Sequence, residues 1–371
     1  MAILQQFLAI LCAPLVLFTG FIGLRGNISD DYSEYKNVIL LIGDGMSQVH
    51  VDAAKADGAE SLIMETMPVR GESRTWGWPG IMLPDSASGG TALACGIDNI
   101  INQVSVFALD PLMLIATPAT LAELAIENGR LAGVVTTDTT SGATPATFSA
   151  HAGTRNNEKK ISEDQMASGI HLIWGAASES ITEAGLAAGG YELITTRTEM
   201  LALEEGSWSF AQFDYGELAN LSDEKDTPTL AEMTVKAIDL LDDGAGFFLM
   251  VEGAHIDKHA HSNDLEATVA HVLEFDLAVA AALAYAAEHP DTLVLVTADH
   301  ETGGLKLQNG AFVFTSTGHT MANVPVFVSA TDAGFTDGGA WKNRRIGVQL
   351  GRVMGFGADV FPTPVLPRLG A

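Results

Sequence analysis

The stretch VEGAHIDKHAH, residues 251–261, follows an apolar run at residues 247–251 that predicts a buried strand. It brings two carboxylates, one lysine and three histidines into a segment just past that strand. In α/β proteins, ligands bind at the carboxyl ends of the strands. We therefore predict a loop in which Asp257 and His261 bind one metal ion when the chain turns back on itself. Glu252, at the strand end, would serve a different cation.

Other predicted strands also end in polar groups. The apolar run at residues 38–42 is typical of a strand covered on both faces, and Asp44 follows it in a glycine turn. Residues 292–298 predict another strand, which ends at Asp299 and His300, and Thr144 follows a predicted strand at residues 132–137. Asp44 alone could equally be a turn aspartate. Because several strand ends meet at one edge of a sheet, these side chains together are candidate metal ligands.

Ser86 stands in a run of small residues, 85–96, that predicts a loop leading into a helix. The free N–H groups and the dipole at a helix N-terminus favour an anion. The alternative is that Ser86 or Ser88 only caps the helix. Arg155, predicted on a short helix after residue 145, is either a surface charge or a planar fork that grips a phosphate.

The types of candidate ligand indicate the chemistry. A mixed Asp/His set suits Zn²⁺, whereas carboxylate and hydroxyl oxygens with water suit Mg²⁺. Two zinc ions about 4 Å apart can clamp the attacking and leaving oxygens of a phosphoryl displacement. A zinc ion can also activate a serine hydroxyl as a nucleophile. Ligand type alone does not separate zinc from Co²⁺ or similar ions.

The overall composition excludes some functions. The 371 residues include 19 Lys plus Arg against 46 Asp plus Glu, a net charge of −27. Phosphate backbones need clustered cations, so nucleic acid is not expected as a specific partner. Because one of the two cysteines, Cys12, lies in the N-terminal apolar segment, Cys95 has no partner for a disulfide framework.

The N-terminal 24 residues are mostly apolar and carry no Lys or Arg before residue 25. They predict a signal peptide or an N-terminal membrane anchor. Residues 25–36 are expected to be a linker, and residues 37–371 a single catalytic domain. The protein would then be exported and be periplasmic, secreted or tethered to a membrane.

From residue 37 to residue 329 the sequence resembles the alkaline phosphatases, through six motifs in the same order. These are GDGM at 43–46, DSA at 85–87 with TA at 91–92, ATP at 143–145 with Arg155, EG at 252–253 with Ile256, Asp257 and His261, TADH at 297–300, and GHT at 318–320. The resemblance implies a three-layer α/β/α sandwich on a large mixed, mostly parallel sheet. It also implies a homodimer that hydrolyses small phosphate monoesters, as a phosphoric monoester hydrolase.

The resemblance implies a role for each matched residue. Ser86 is the nucleophile that becomes phosphorylated, and Arg155 pairs with two phosphate oxygens. Three metal sites are implied: a first zinc held by Asp257, His261 and His319, a second zinc held by Asp44, Asp299 and His300, and a magnesium held by Asp44, Thr144 and Glu252. His255 and His259 have no family role and are either supporting donors or plain loop residues.

One position departs from the family pattern. Many members place Asp or His two residues before the threonine of the magnesium motif, and here that residue is Gly142. Lys258 follows Asp257 as in some bacterial members, in which a carboxylate at that position restrains the lysine. We therefore expect Lys258 to be freer to move toward the phosphate as a catalytic residue, and magnesium to bind more weakly. The alternative for Lys258 is a structural salt bridge.

Two other functions remain open. A phosphodiesterase or a sulfatase could share the scaffold, although Ser86 with Arg155 favours monoesters and the sulfatase pattern around a Cys or Ser is missing. A non-catalytic protein that binds zinc or phosphate is the alternative from another class. It is disfavoured because every ligand position outside Gly142 is filled.

Overall fold

A computed structural model describes residues 28–56, 61–110, 113–221 and 226–363. The predicted signal peptide or anchor at residues 1–24 lies outside the described residues. The described part of the predicted linker runs along the protein body. The Ser29 amide donates to the Gly334 carbonyl at 2.8 Å and the Tyr35 amide to the Val353 carbonyl at 2.6 Å.

Sixteen strands and twelve α-helices are named in the described part of the chain. The strands are β1 Asn37–Gly43, β2 Val69–Arg74, β3 Phe107–Asp110, β4 Met113–Ala116, β5 Leu131–Thr139, β6 Leu172–Ala176, β7 Glu192–Ile194, β8 Ser209–Ala211, β9 Phe247–Gly253, β10 Thr292–Thr297, β11 Glu301–Thr302, β12 Lys306–Gln308, β13 Ala311–Val313, β14 His319–Thr320, β15 Val324–Val328 and β16 Gly339–Lys342. The helices are α1 Gln48–Ala56, α2 Ser86–Cys95, α3 Leu121–Glu127, α4 Ala143–Ser149, α5 Glu158–Ala167, α6 Glu183–Gly189, α7 Arg197–Ala202, α8 Tyr215–Leu218, α9 Leu230–Leu241, α10 His255–His261, α11 Leu265–Glu288 and α12 Asn343–Val353, with a 3-10 turn at Ile63–Thr66.

Ten of these strands form one sheet, in the order β16-β2-β15-β10-β1-β9-β5-β6-β8-β7. From β10 to β7 all neighbours are parallel. β15 runs antiparallel to both β10 and β2, and β16 returns to a parallel pairing with β2. The sheet is therefore mixed and mostly parallel, with helices on both faces, and the predicted fold class is confirmed.

The central strands are mostly apolar because both faces of the sheet are covered. On β1, Val38, Leu40 and Ile42 belong to one hydrophobic cluster, whereas Ile39 and Leu41 belong to the other. All seven residues of β1 are buried. Burial of each apolar side chain of β1 contributes about 1.5–3 kcal/mol to the stability of the fold relative to an exposed one. The alternation of these side chains between the two faces therefore holds the three layers together.

Helices α2, α3, α4 and α12 contribute to the first cluster, and helices α1, α9 and α11 to the second. The length and composition of α11 would also suit a membrane span. However, α11 buries Val272, Phe275 and Val279 completely in the second cluster. Packing against the sheet accounts for its apolar character.

The register of the central strands brings their carboxyl ends to one edge. Ile42 pairs with Glu252 on β9 and with Thr297 on β10, and Thr136 on β5 also pairs with Glu252. The polar residues that follow these four strands therefore meet at this edge.

The predicted loop after β9 is wrong, because residues 255–261 form the helix α10. Ile256 and Ala260, four residues apart, are both completely buried. This apolar pair at helical spacing was obscured by the polar residues around it, and its burial favours the helix.

Candidate active site

A first group of ligand atoms comes from α10 and β14. Asp257 and His261 are one helical turn apart, so both face the same side, and His319 reaches them from β14. The His261 Nε2 atom lies 3.4 Å from Asp257 Oδ1 and the His319 Nε2 atom 3.8 Å from it. The three ligand atoms all lie within 4.8 Å of one another, so they could hold one metal ion.

The hydrogen bonds of His261 and His319 also favour a metal ion at this place. The Nδ1 atom of His261 lies 2.6 Å from the Thr317 carbonyl, and that of His319 lies 2.8 Å from the Pro84 carbonyl. A carbonyl only accepts, so each Nδ1 carries the proton and leaves a lone pair on Nε2. The two Nε2 atoms are 3.1 Å apart. Two lone pairs at this distance repel unless a cation lies between them, and metal-bound histidines have this arrangement.

A second group combines Asp44, Asp257 and His300, with their ligand atoms also within 4.8 Å of one another. His300 Nε2 lies 3.5 Å from Asp44 Oδ1 and 3.2 Å from Asp299 Oδ2. The structure therefore brings together all three residues of the implied second zinc set and adds Asp257, which belongs to both groups. The buried Asp44 Oδ1 and Asp299 Oδ2 atoms form no hydrogen bond in the described structure, which leaves their lone pairs for a cation.

Ser86 is the first residue of α2. The N-cap is Asp85, whose carboxylate accepts from the Ser88 amide at 3.0 Å, while the Ser88 hydroxyl accepts from the Asp85 amide at 3.1 Å. The Ser86 side chain takes no part in this capping box. Its Oγ atom lies 3.1 Å from His300 Nε2 instead, so the hydroxyl is next to the second group of ligands.

The small residues of α2 allow this approach. A Cβ atom on Gly89 would lie only 2.5 Å from the Asp299 carbonyl oxygen. The glycine thus permits the helix that carries Ser86 to pack against the end of β10.

Arg155 lies in a turn after α4 and not on the predicted short helix. Its Nη1 atom is 3.4 Å from Asp85 Oδ2, and its amide donates to the Asn102 carbonyl at 2.7 Å. The Asn102 amide in turn donates to the Asp85 carboxylate. Asp85 therefore orients Arg155 as well as capping α2. Neither role of Asp85 was predicted, because Ser86 and Ser88 were the cap candidates; the available signal was an aspartate directly before a predicted helix.

Thr144 and Glu252 lie on α4 and β9. The Glu252 side chain is 1% exposed and accepts a hydrogen bond from the Thr136 hydroxyl. Thr144 is also 1% exposed, and its hydroxyl has no hydrogen-bond partner in the described structure. A buried hydroxyl without a partner beside a buried carboxylate fits a Mg²⁺ ion, which prefers oxygen ligands.

The expectation that Lys258 is freer to move is wrong. Its Nζ atom donates to Asp138 Oδ2 at 3.0 Å, so a carboxylate restrains it although residue 142 is glycine. Burial lowers the pKa of Lys258, but the charge of Asp138 and the neighbouring Tyr215 outweigh this effect and raise it above its usual range. Asp138 was not predicted as a site residue. The available signal was its position at the end of a predicted strand.

The electrostatics of the site favour bound cations. Burial, followed by the charge of Asp138, raises the pKa of Glu252 to about 8. Burial and the charge of Asp257 raise that of Asp299 to about 6, and burial together with neighbouring acids raises that of Asp44. Burial lowers the pKa of His300. Carboxylates gathered without cations are costly to ionise, and divalent ions reverse this cost. The two groups of ligand atoms are thus suited to divalent metal ions.

His255 and His259 are absent from both groups of ligand atoms. The His255 Nε2 atom lies 3.0 Å from the Thr137 carbonyl. The two rings contact His271 on α11, with centroids 5.2 Å and 4.9 Å away. Both side chains pack on the side of α10 that faces α11.

Comparisons with known proteins identify the family of this chain. The sequence profile of the family described as "Alkaline phosphatase" matches residues 35–175 and 177–334. Alkaline phosphatase 3 of Bacillus subtilis is 33% identical over 74% of this chain and 63% of its own length. Streptomycin-6-phosphate phosphatase of Streptomyces griseus is 33% identical over 71% of this chain and 73% of its own length. The chain spans less than two thirds of the two Bacillus subtilis enzymes that it matches, 63% and 64%.

Among solved structures, the alkaline phosphatase of the Antarctic bacterium TAB5 is 27% identical, with a TM-score of 0.76 over 88% of this chain and 100% of its own. The alkaline phosphatase of Thermus thermophilus is 20% identical and shares the fold, with a TM-score of 0.77 over 90% of this chain and 94% of its own. From the profile match, the sequence identities and the shared fold we conclude that this chain belongs to the alkaline phosphatase family.

Proposed function

We propose that the protein is a metal-dependent phosphomonoesterase that forms a phosphoserine at Ser86. The observation that carries this proposal is the position of the Ser86 hydroxyl, 3.1 Å from His300 Nε2. Ser86 is a buried residue at a helix N-terminus, beside groups of ligand atoms that suit two metal ions. No cap requires its hydroxyl, and a nucleophile needs this neighbourhood.

In this proposal the residue sets described above would hold two zinc ions and one magnesium ion. When bound, they lower the pKa of the serine hydroxyl and of water and offset charge on the reacting oxygens. The chain itself supplies the remaining contacts. Arg155 pairs with two phosphate oxygens, and the first N–H groups of α2 face the anion.

The reaction then has two displacements. Ser86 Oγ forms a bond to phosphorus while the bond to the ester oxygen breaks, and the serine proton is lost as the alcohol takes one up. Water then attacks the phosphoserine, the Ser86 oxygen–phosphorus bond breaks, and Ser86 regains a proton as inorganic phosphate leaves. Lys258 contributes a positive charge near the α10 end of the site, since Asp138 holds it there.

The names of relatives support a monoester as the substrate class, because they include alkaline phosphatases and a streptomycin-6-phosphate phosphatase. Two solved variants of the TAB5 enzyme are described with magnesium bound in a site called M3. We also propose that the protein is exported and forms a homodimer. Light scattering after gel filtration and fractionation of an expressing cell test these two points.

The test of the proposed function compares wild type, Ser86→Ala and the control Ser168→Ala on p-nitrophenyl phosphate and bis-p-nitrophenyl phosphate. Among the described residues, Ser168 bonds to residues around the end of α5 and to Tyr191. We expect Ser86→Ala to lose turnover by more than about 10³-fold and Ser168→Ala to keep it. When the enzyme is incubated with labelled phosphate and the mixture is quenched at low pH, the label should be found as phosphoserine on Ser86 alone.

Faster hydrolysis of the diester than of the monoester would instead indicate a phosphodiesterase. Zinc binding without turnover or a trapped phosphoserine would indicate a non-catalytic relative.

A further inference from the structure

We infer that Asp138 is the positioning residue of this site: it holds Lys258 and supplies the carboxylate beside the cation site of Thr144 and Glu252. Asp138 therefore does what the family pattern led us to expect from residue 142. The inference rests on the proposed function for its catalytic consequence, although the metal binding that it predicts can be measured separately.

The carboxylate of Asp138 has a defined orientation. Asp138 is near the end of β5, and its amide donates to the Thr136 hydroxyl at 2.8 Å. Its Oδ1 atom accepts from the Thr139 amide at 2.8 Å, and its Oδ2 atom accepts from Lys258 Nζ at 3.0 Å. One oxygen is thus bound to its own turn, and the other faces the lysine.

Lys258 is held from a second side. Its Nζ atom lies 6.0 Å from the centroid of the Tyr215 ring, within the range of a cation–π contact. The ammonium group therefore contacts both a carboxylate and an aromatic ring. Lys258 is on α10, next to the ligand Asp257, so this position also places its charge beside the metal ligands.

Gly142 leaves the space that Asp138 occupies. A Cβ atom at residue 142 would lie 2.6 Å from Asp138 Oδ2, 2.9 Å from Asp138 Cγ and 2.9 Å from the Thr139 carbonyl oxygen. The backbone of Gly142 has φ −51° and ψ 155°, which any residue adopts, so glycine is not required for its conformation. The absence of a side chain at 142 and the carboxylate at 138 are thus two parts of one arrangement.

Thr136 connects Asp138 to the cation site. Its hydroxyl accepts from the Asp138 amide at 2.8 Å and donates to Glu252 Oε2. Thr144 follows Gly142 by two residues on α4, and its buried hydroxyl has no partner in the described structure. A cation bound by Thr144 and Glu252 would therefore be attracted by the negative charge of the Asp138 carboxylate. Lys258 is the counter-charge of that carboxylate.

The experiment moves the carboxylate from one position to the other. The zinc-loaded protein is titrated with Mg²⁺ in a calorimeter as wild type, Asp138→Asn, Asp138→Ala, and Asp138→Ala combined with Gly142→Asp. Asparagine keeps the shape and the hydrogen bond to Thr139 but removes the charge. We expect Asp138→Asn to weaken Mg²⁺ binding about 10–100-fold, as is typical for a partner outside the ligand shell. The combined variant should recover most of the affinity of the wild type.

The same variants are compared for inhibition by inorganic phosphate and for melting temperature in chelator. Loss of the restraint on Lys258 should change the inhibition constant in Asp138→Asn and restore it in the combined variant, while the melting temperature in chelator stays close among folded variants. Recovery in the combined variant requires the Thr139 carbonyl, 2.9 Å from a Cβ atom at residue 142, to give way. Unchanged Mg²⁺ affinity in Asp138→Asn would overturn the inference. A wild type that binds Mg²⁺ in this way but hydrolyses no monoester would overturn only the proposed function.

Discussion

Replacement of Gly89 by alanine tests how closely the nucleophile helix must approach the metal ligands. A Cβ atom there would lie 2.5 Å from the Asp299 carbonyl oxygen and 2.9 Å from its carbonyl carbon. An ordinary contact begins at 3.4 Å, so α2 or the end of β10 must retreat by about 0.9 Å, the difference between these two distances. Both contacts are with backbone, which cannot rotate away.

Two effects on stability oppose each other. Alanine in a helix interior gains about 1 kcal/mol over glycine, whereas overpacking costs about 1–3 kcal/mol. We expect a net loss of about 0–2 kcal/mol in the free energy of unfolding. The effect on turnover should be larger, because the shift separates Ser86 from His300, and a misplacement of about 1 Å can cost about 10²-fold.

The assays are urea unfolding and turnover of p-nitrophenyl phosphate. The control is Gly216→Ala, on the exposed helix α8, where the nearest atom to the new Cβ would be the Asp214 Oδ1 atom at 3.3 Å. That oxygen accepts from the Glu217 amide at 2.8 Å as the cap of α8, but it needs to move by only about 0.1 Å to reach the 3.4 Å of an ordinary contact. The control should therefore keep wild-type turnover. If Gly89→Ala becomes more stable by the full helix propensity and keeps its turnover, the close packing of α2 on β10 does not position the nucleophile.

Three further predictions follow from the core and from the site. Phe275→Ala removes a completely buried ring that packs on Gly253, and we expect it to lower the free energy of unfolding by about 3–5 kcal/mol in urea; a loss below about 1 kcal/mol would contradict the packing. Chelation should lower the melting temperature, because Asp44, Asp299 and Glu252 stay buried without counter-ions, and re-addition of zinc and magnesium should restore it; an unchanged melting temperature would show that the carboxylates need no cation. His50 is completely buried, and burial lowers its pKa to about 4. Because the unfolded chain takes up this proton near pH 6.5 and the folded chain only near pH 4, stability should fall as the pH drops between these values. His50→Gln should show a shallower slope in urea unfolding across this range, and an identical slope would refute the assignment.

The sequence by itself was sufficient for the fold class and for most of the residues that gather at the site, although not for Asp138. Strands β1, β9 and β10 contain apolar runs buried on both faces, and consecutive residues of the sequence show this pattern directly. Each strand is followed by Asp44, Asp257 or Asp299, and parallel strands place such residues at one edge. Spacing along the chain and the ordered motifs were therefore enough to bring distant ligands into one list.

Only the tertiary structure decided how these groups share their partners. Asp257 belongs to both groups of ligands because α10 is a helix. The segment is helical because α10 is buried against the sheet, and this burial depends on contacts with distant residues. Lys258 pairs with Asp138, which is 120 residues away in the chain, because Gly142 leaves room for that carboxylate. A contact between two side chains depends on which of them occupies a given space, and residue order alone does not specify this.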